Sequence, residues 1–295
     1  MRLNYKITDI VDYINWAYFF HAWGLPAKMA DIVKVHGCDA CRNQWIATFP
    51  LEEREKAREA VQLYTETRRW LGLLSTRLSM KAVVEILPAC SDGDDIVVLY
   101  NDKEVRLPML RQQIPGTDGY CRCLADFIHP RGNGMEDRIG IFATSVSSPV
   151  NEGDDYHKLL TQTLADRLAE AAAECLHEQV RKRIWGYAAA EDLTIEQMHS
   201  EQFVGTRPAV GYPSMPDMSM NFLLDKILNF RQIGVSLTEH GMMQPHASVS
   251  GLMISHPQSC YFDVGSITEE QLLDYARRRE LPAEQLREYV KEVGN

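Results

Sequence analysis

Residues 207–213 read RPAVGYP and residues 247–262 read ASVSGLMISHPQSCYF, with sequence for about one helix between them. The arginine fork suits a carboxylate, because its paired N–H groups match two carboxylate oxygens. Prolines and glycines fix turns, and a serine-rich strand ending at Tyr261 and Phe262 offers backbone amides beside a flat apolar surface. The two segments therefore predict a site that holds a small polar ligand.

The composition is that of a globular chain with a sizeable core. Its 295 residues are 45% hydrophobic, enough for one large domain or two small ones. The net charge of -10 disfavours nonspecific binding to nucleic acid or to an anionic membrane surface. The N-terminus lacks the apolar core of a signal peptide, and no run of residues could span a bilayer. Seven cysteines without a repeating framework indicate reduced thiols, so we predict a cytoplasmic protein.

Hydrophobic spacing predicts mixed helices and strands. Helical spacing covers residues 51–78 and 154–187, and a capping box at 266–271 opens a helix that precedes a final helix to Val290. Strands are expected at 82–88, 95–100, 103–107 and 138–144, with a tight hairpin at Asn101 and Asp102. The predicted fold class is α+β, with long helices packed against a twisted, mainly antiparallel sheet.

The two opening segments closely resemble the reactivation domain of cobalamin-dependent methionine synthase. That family carries RPxxGYP followed by ASVSGxxxSHPxSxYF at the same spacing. Other matching runs are LRQQ at 110–113, LADF at 124–127, RKxxWGYA at 181–188 and DYARR at 274–278. The resemblance extends from Tyr13 to Tyr289 and implies one C-shaped domain over residues 1–295.

The resemblance also implies a function. In that family the domain binds S-adenosylmethionine and remethylates cobalamin that has been oxidised to an inactive state. Because this chain starts at Met1 and contains no homocysteine, folate or cobalamin domain, we expect it to act in trans as a component of the methyltransferase. The implied partners are a cobalamin-binding methionine synthase subunit, which carries the cobalamin, and a flavodoxin-like reductant.

Two other functions remain open from the sequence. The client could be the corrinoid protein of another methyl-transfer pathway. Alternatively, the chain is a non-catalytic adaptor or ligand sensor that keeps the fold. No catalytic residue is expected in any of these cases, because a sulfonium leaving group and a cobalt(I) nucleophile need positioning rather than an acid or base. The absence of GxSxG, HExxH, P-loop and GxGxxG patterns agrees with this expectation.

Residue roles follow from the resemblance. Arg207 would hold the methionyl carboxylate, Tyr261 and Phe262 would line the adenosine site, and Gly211 and Tyr212 would shape the turn between them. Supporting positions are Glu170, Ser248, Ser250 and His256, of which His256 is expected to hold a turn. Glu170 stands among small residues at 169–173, which should allow another element to approach the helix closely.

The sequence departs from the family at two places. The family has an aspartate before its first tryptophan, which takes the ligand's ammonium group, and this chain has Asn15 before Trp16. The amide oxygen can still accept a hydrogen bond, but losing the charge costs roughly 1 kcal/mol or more. Alternatively, another carboxylate supplies the charge. Residues 214–221, SMPDMSMN, also lack charged residues and a histidine that relatives carry after GYP.

Two further groups have competing interpretations. His36, Cys38 and Cys41 form an HxCxxC pattern with three ligand types that suit zinc or an iron cluster, but structural sites close with four ligands and the family lacks this motif. Free cysteines in a loop are therefore the expectation, and no metal is predicted. Asp126 is either a catalytic carboxylate or the partner of a capped turn and of Arg111, and we favour the structural role.

Overall fold

The protein is described by a computed structural model over residues 1–132, 134–147 and 154–290. Its strands are β1 (Arg2–Tyr5), β2 (Ser79–Asp92), β3 (Asp95–Tyr100), β4 (Lys103–Pro108), β5 (Asp137–Ser147), β6 (Ser236–Leu237), β7 (Met243–Gln244) and β8 (Ser248–Met253). Its α-helices are α1 (Ile7–Ile10), α2 (Trp16–Ala22), α3 (Asp39–Ala47), α4 (Arg54–Leu74), α5 (Asp155–Gln179), α6 (Ile195–His199), α7 (Met220–Leu228), α8 (Glu269–Arg279) and α9 (Ala283–Tyr289). None of the helices in these ranges is long and apolar enough to cross a membrane.

One antiparallel sheet organises the molecule. Its strand order is β4-β3-β2-β5-β8, and β1 also pairs with β2. The long β2 accommodates both neighbours, because β1 pairs with its residues 80–83 and β3 with its residues 89–92. The predicted α+β class with a mainly antiparallel sheet is confirmed.

Alternating side chains on the central strands pack against helices on both faces of the sheet. Val84 and Phe142 belong to the core that contains α4 and α5, whereas Val83 and Ile141 belong to the core that contains α7. A third, smaller core joins α8 and α9 to Leu110. Since residues i and i+2 share a face of a strand, the two main cores follow directly from the sequence of β2 and β5.

Local signals placed several elements correctly. Asn101 and Asp102 both have positive φ, of 50° and 58°, as the two-residue turn between β3 and β4 requires. Asp126 accepts from the Cys123 amide at 2.8 Å and pairs with Arg111 at 2.6 Å, so its favoured structural role is confirmed. The small residues of α5 do allow close approach, because Thr144 of β5 donates to the Ala169 carbonyl at 3.1 Å.

The predicted helices were longer than those in the structure. Residues 51–78 give a short 3-10 turn followed by α4, which ends at Leu74. Residues 154–187 give α5 and then a π-helical turn at Val180–Ile184, after which Gly186 adopts a φ of 81°. At the N-terminus, a 3-10 turn at Val11–Tyr13 separates α1 from α2.

Candidate functional site

The segments at 207–213 and 247–262, which carry the family resemblance, lie side by side. Residues 206–210 run along β8 as a further extended segment: Thr206 and Ile254 exchange backbone hydrogen bonds of 2.9 Å, and Val210 donates to the Ser250 carbonyl at 2.9 Å. The amides of Leu252 and Ile254 are donated to this segment. The expectation that the serine-rich strand offers backbone amides to a ligand is therefore wrong for Leu252 and Ile254.

Two glycines make this close approach possible. A Cβ on Gly251 would stand 2.2 Å from the Pro208 carbonyl oxygen, and one on Gly205 would stand 2.3 Å from the Ile254 carbonyl oxygen. Gly205 also has a φ of 88°, which side chains rarely adopt. The glycine of ASVSG is thus required by the segment that carries Arg207.

Arg207 projects from this segment onto the face of the sheet that α5 covers. Its Nη2 lies 3.1 Å from Glu174 Oε2, and both side chains are only 12% exposed. The guanidinium also lies over the ring of Phe142, 5.7 Å from its centroid. Burial opposes the charged form most strongly, but Glu174, Tyr261 and Glu170 together outweigh it and raise the pKa of Arg207.

The Arg207–Glu174 pair is only half satisfied. Arg207 Nε and Glu174 Oε1 are both buried, and neither has a hydrogen-bond partner in the part of the chain that the structure describes. Buried polar atoms of proteins are nearly always paired. One donor and one acceptor of this pair therefore lack a partner among the described residues.

Three glutamates form a row on α5. Glu170, Glu174 and Glu178 are spaced four residues apart and so lie along one face of the helix. Glu170 accepts from Tyr212 Oη, Glu174 pairs with Arg207, and Glu178 accepts from Tyr13 Oη. The row therefore links the RPxxGYP segment to Tyr13, near the N-terminus. Glu174 and Glu178 were not predicted as site residues, and their four-residue spacing from Glu170 was the signal that could have found them.

The turn after Arg207 takes the shape that its residues allow. Gly211 has a φ of 84°, donates to the Met215 carbonyl at 2.8 Å and leaves no room for a Cβ, which would stand 2.6 Å from Met218 Sδ. The turn presents Tyr212 with 48% of its surface exposed. Partial burial and the neighbouring Glu170 carboxylate raise the pKa of its phenol. Gly211 and Tyr212 are therefore brought to the same face as Arg207.

Asn15 caps the helix that follows it. Its Oδ1 accepts from the Ala17 amide at 3.2 Å at the start of α2. Two residues earlier, Tyr13 Oη reaches Glu178, and the Tyr13 carbonyl lies 3.1 Å from His199 Nε2. The structure thus places Tyr13, two residues before Asn15, against α5 at Glu178, one helical turn beyond Glu174.

The neighbouring aromatic residues Tyr261 and Phe262 have different roles. Tyr261 Oη accepts from the Arg207 amide at 2.9 Å, and burial raises the pKa of Tyr261 to about 12. Phe262 is held by its backbone, since its amide donates to Ser214 Oγ at 3.1 Å and its carbonyl accepts from the same hydroxyl. Its ring packs against the α7 and α8 cores. Tyr261 is joined to Arg207, whereas Phe262 contacts Ser214 and the two cores.

The remaining support positions stabilise the scaffold. Ser250 donates to Asn221 of α7, on the face of the sheet opposite α5, and Ser248 donates to Ser145 at 3.0 Å. His256 Nδ1 accepts from the Gln258 amide at 3.2 Å within a turn, as expected of a turn-holding residue. These three residues hold the strand and its exit loop in place, and the structure does not join them to Arg207.

Residues 214–221, which depart from the family pattern, form hydrogen bonds and an ion pair with other parts of the chain. Asp217 is buried, accepts from Tyr275 Oη at 2.7 Å and lies 3.3 Å from Arg279. Asn221 donates to the Gly241 carbonyl at 2.8 Å. In this chain, Asp217 therefore joins the segment to α8, and Asn221 joins it to β8 through Ser250.

A buried histidine behind Arg207 was not singled out from the sequence. His177 of α5 packs edge-on against Phe203, with 4.8 Å between ring centroids, and its Nε2 lies 3.3 Å from Tyr187 Oη. Burial, and then the charges of Arg181 and Arg207, lower its pKa well below the ordinary value. A neutral imidazole therefore forms part of the support behind the arginine.

The HxCxxC residues come together at the start of α3. The ligand atoms of His36, Cys38 and Cys41 lie within 4.8 Å of one another. The hydrogen bond with His36, followed by those with Cys41, lowers the pKa of Cys38 to about 7, and the Cys38 sulfur in turn raises the pKa of Cys41.

Together, the fold and the site define a class: an α+β domain with a buried arginine beside a row of carboxylates on a long helix. The family model described as "Vitamin B12 dependent methionine synthase, activation domain" matches residues 6–280. The chain also superposes on a crystal structure of the MetH reactivation domain bound to AdoHcy with a TM-score of 0.83 and 35% sequence identity, covering 98% of this chain and 88% of that one. This chain therefore belongs to the activation-domain family of vitamin B12-dependent methionine synthase.

Proposed function

We propose that the chain binds S-adenosylmethionine with the methionyl carboxylate at Arg207. The observation that carries this proposal is the half-satisfied Arg207–Glu174 pair, whose free Nε and Oε1 match the carboxylate and ammonium of an amino acid. Tyr261, already bonded to the Arg207 amide, flanks the adenosine end. That the related reactivation domain was crystallised with AdoHcy, the demethylated form of this ligand, supports binding of S-adenosylmethionine by this chain.

The charges around Arg207 favour a cationic ligand. Glu170, Glu174 and Glu201 all interact electrostatically with the arginine or with one another, and burial followed by Glu174 raises the pKa of Glu201. S-adenosylmethionine carries a sulfonium and an ammonium against one carboxylate, whereas AdoHcy is neutral overall. Glu174 would thus supply the charge that Asn15 lacks, and the carboxylate excess would select the methylated form.

The contribution of this chain to methyl transfer is positional. Cobalamin, carried by a partner protein, would supply the nucleophile, and the sulfonium leaves as a neutral thioether without a proton donor. Arg207 and Glu174 would fix the amino-acid end, Tyr212 would close the exposed side, and the glycine-dependent packing of residues 206–210 on β8 would set the position of all three. No acid or base is assigned.

We propose that residues 1–295 act as one domain in trans, in the cytoplasm, on the cobalamin of a separate methionine synthase polypeptide. A reductant of the flavodoxin type would supply the electron. A groove between α3 and α4 offers a surface for an acidic protein, because Arg42, Arg58 and Arg69 line it against a single carboxylate, Glu66. The groove measures about 500 Å³.

Reconstitution tests this function. The full chain would be mixed with a cobalamin-loaded methionine synthase that lacks its activation domain, a reductant and methyl-labelled S-adenosylmethionine. We expect label on the cobalamin only when the chain is present, and loss of that label with Arg207→Gln. Label found only in a parallel mixture that contains another corrinoid protein in place of the methionine synthase would identify a different client. Ligand binding without transfer to any corrinoid protein would contradict reactivation and favour a ligand sensor.

A further inference from the structure

A cluster of soft ligands lies outside the proposed S-adenosylmethionine site. His36 and Cys38 precede α3 and Cys41 lies in its first turn, so the three side chains converge at the amino end of a nine-residue helix. Their ligand atoms are within 4.8 Å of one another. All three are exposed or half-buried, so an ion can reach them from solvent.

The backbone prepares the cluster for thiolates. Cys38 caps α3, and its sulfur accepts from the Cys41 amide at 3.4 Å. The positive end of the helix dipole favours negative charge at this position. Arg42 lies beside it, with Nη2 3.9 Å from the position that a Cβ on Gly37 would take. A dication held by two thiolates adds no net charge, so the neighbouring arginine does not oppose the complex.

The spacing is close to that of a bound ion. Zinc takes sulfur ligands at about 2.3 Å and imidazole nitrogen at about 2.0–2.1 Å, which puts tetrahedral sulfur atoms a little under 4 Å apart. The observed separations of up to 4.8 Å therefore need to close by about 1 Å, a shift that exposed side chains can make by rotation. The group found among the described residues contains three ligands, which leaves one tetrahedral position open.

We propose that His36, Cys38 and Cys41 bind Zn²⁺ with one coordination position open to water or an added thiol. Two thiols release their protons on binding, and the imidazole binds in its neutral form. The proposal rests on the geometry of these residues and not on the S-adenosylmethionine site. It revises the expectation, drawn from the sequence, that they are ordinary free cysteines.

Cobalt substitution tests the site. The reduced full-length chain would be titrated with Co²⁺ alone, followed by Zn²⁺. We expect a sulfur-to-cobalt charge-transfer absorption that saturates at one ion per chain and disappears when Zn²⁺ displaces the cobalt. Cys38→Ser and Cys41→Ser should abolish the absorption, and His36→Ala should weaken Co²⁺ binding more than tenfold, since removing even second-shell partners costs about 10–100-fold in affinity.

Controls separate this site from the other thiols. Cys90→Ser and Cys121→Ser change half-buried cysteines outside the cluster and should leave the titration unchanged. The proposal is overturned if the wild type shows no charge-transfer absorption, or if the absorption survives in both Cys38→Ser and Cys41→Ser. Thermal unfolding of each variant establishes that it is folded. Because the titration contains neither S-adenosylmethionine nor cobalamin, its failure would leave the proposed function untested but intact.

Discussion

Glu174 shows how far single residues of the site could be predicted. Arg207 stood out in the sequence because it belongs to a recognisable segment, but Glu174 is one of three glutamates on a long helix that carries no such motif. Only the tertiary placement of residues 206–210 brings the arginine within 3.1 Å of it. The four-residue spacing of Glu170, Glu174 and Glu178 indicated a common face, although a charged face of a helix is ordinarily solvated.

Glu174→Gln should discriminate between the two forms of the ligand. The amide keeps the shape but removes the charge that would face the ammonium and sulfonium groups. We expect S-adenosylmethionine affinity to fall by about 10–100-fold, the range that corresponds to about 1.5–3 kcal/mol for a hydrogen bond to a charged group, and AdoHcy affinity to fall less. Calorimetric titration of both ligands measures this difference.

The matched control for that variant is Glu284→Gln, because the Glu284 side chain is 92% exposed on α9. It should change neither affinity. Equal losses for both ligands in Glu174→Gln would show that the carboxylate does not sense the sulfonium charge.

The buried His177 predicts a pH dependence of stability. Its pKa is lowered in the folded protein, whereas the unfolded chain binds a proton near pH 6.5. Below that pH the unfolded state therefore carries the extra proton, and stability should fall as pH drops from about 6.5 towards the folded pKa, by up to about 1.4 kcal/mol per pH unit. Urea unfolding at several pH values should show a shallower acid loss in His177→Gln, and an unchanged one in the control His21→Gln, which alters an exposed histidine.

At the scale of elements, regular periodicity was sufficient to predict strands β2 to β5 and the long helices. It did not predict where those helices end. The hairpin at 101–102 followed from its turn residues. The segment 206–210 was not predicted to extend the sheet, because Pro208 interrupts the usual strand signal. β1 was missed as well, since four residues of mixed polarity carry no periodic pattern, and it forms through pairing with β2.

Gly251→Ala tests the packing of residues 206–210 on β8. A methyl group 2.2 Å from the Pro208 carbonyl must push the segment that carries Arg207 away from the sheet. We expect destabilisation of about 1–3 kcal/mol, as for other overpacked sites, together with weaker S-adenosylmethionine binding. Chemical denaturation and titration of the same variant measure the two effects.

Gly72→Ala provides the opposite control. Gly72 lies within α4, and a Cβ there would have no atom within 4 Å. Alanine is favoured over glycine inside a helix, so this variant should be more stable by about 0.5–1 kcal/mol and should bind the ligand normally. A harmless Gly251→Ala would mean that the segment can shift without loss.

At the scale of the whole molecule, a net charge of -10 coexists with a local concentration of arginines between α3 and α4. Composition alone hid this groove, because Arg42 of α3 joins Arg58 and Arg69 of α4 only when the two helices pack. The family match covers residues 6–280 and so includes both this surface and the proposed ligand site.

The double substitution Arg58→Glu with Arg69→Glu should weaken association with an acidic reductant. Reversal of two charges at a docking surface slows association and reduces its dependence on salt. Surface plasmon resonance at two salt concentrations measures both quantities. Arg183→Glu, at an exposed position outside the groove, is the control, and an equal effect of that variant would show that overall charge, rather than the groove, governs binding.

The central claim is that Arg207 and Glu174 hold the amino-acid end of S-adenosylmethionine. Isothermal titration of the full chain with this ligand tests the claim most directly. We predict saturable binding of one ligand per chain and its loss in Arg207→Gln, with the folded state of the variant verified by circular dichroism. Absence of heat at millimolar ligand in the wild type, or unchanged binding in the folded variant, would contradict the claim.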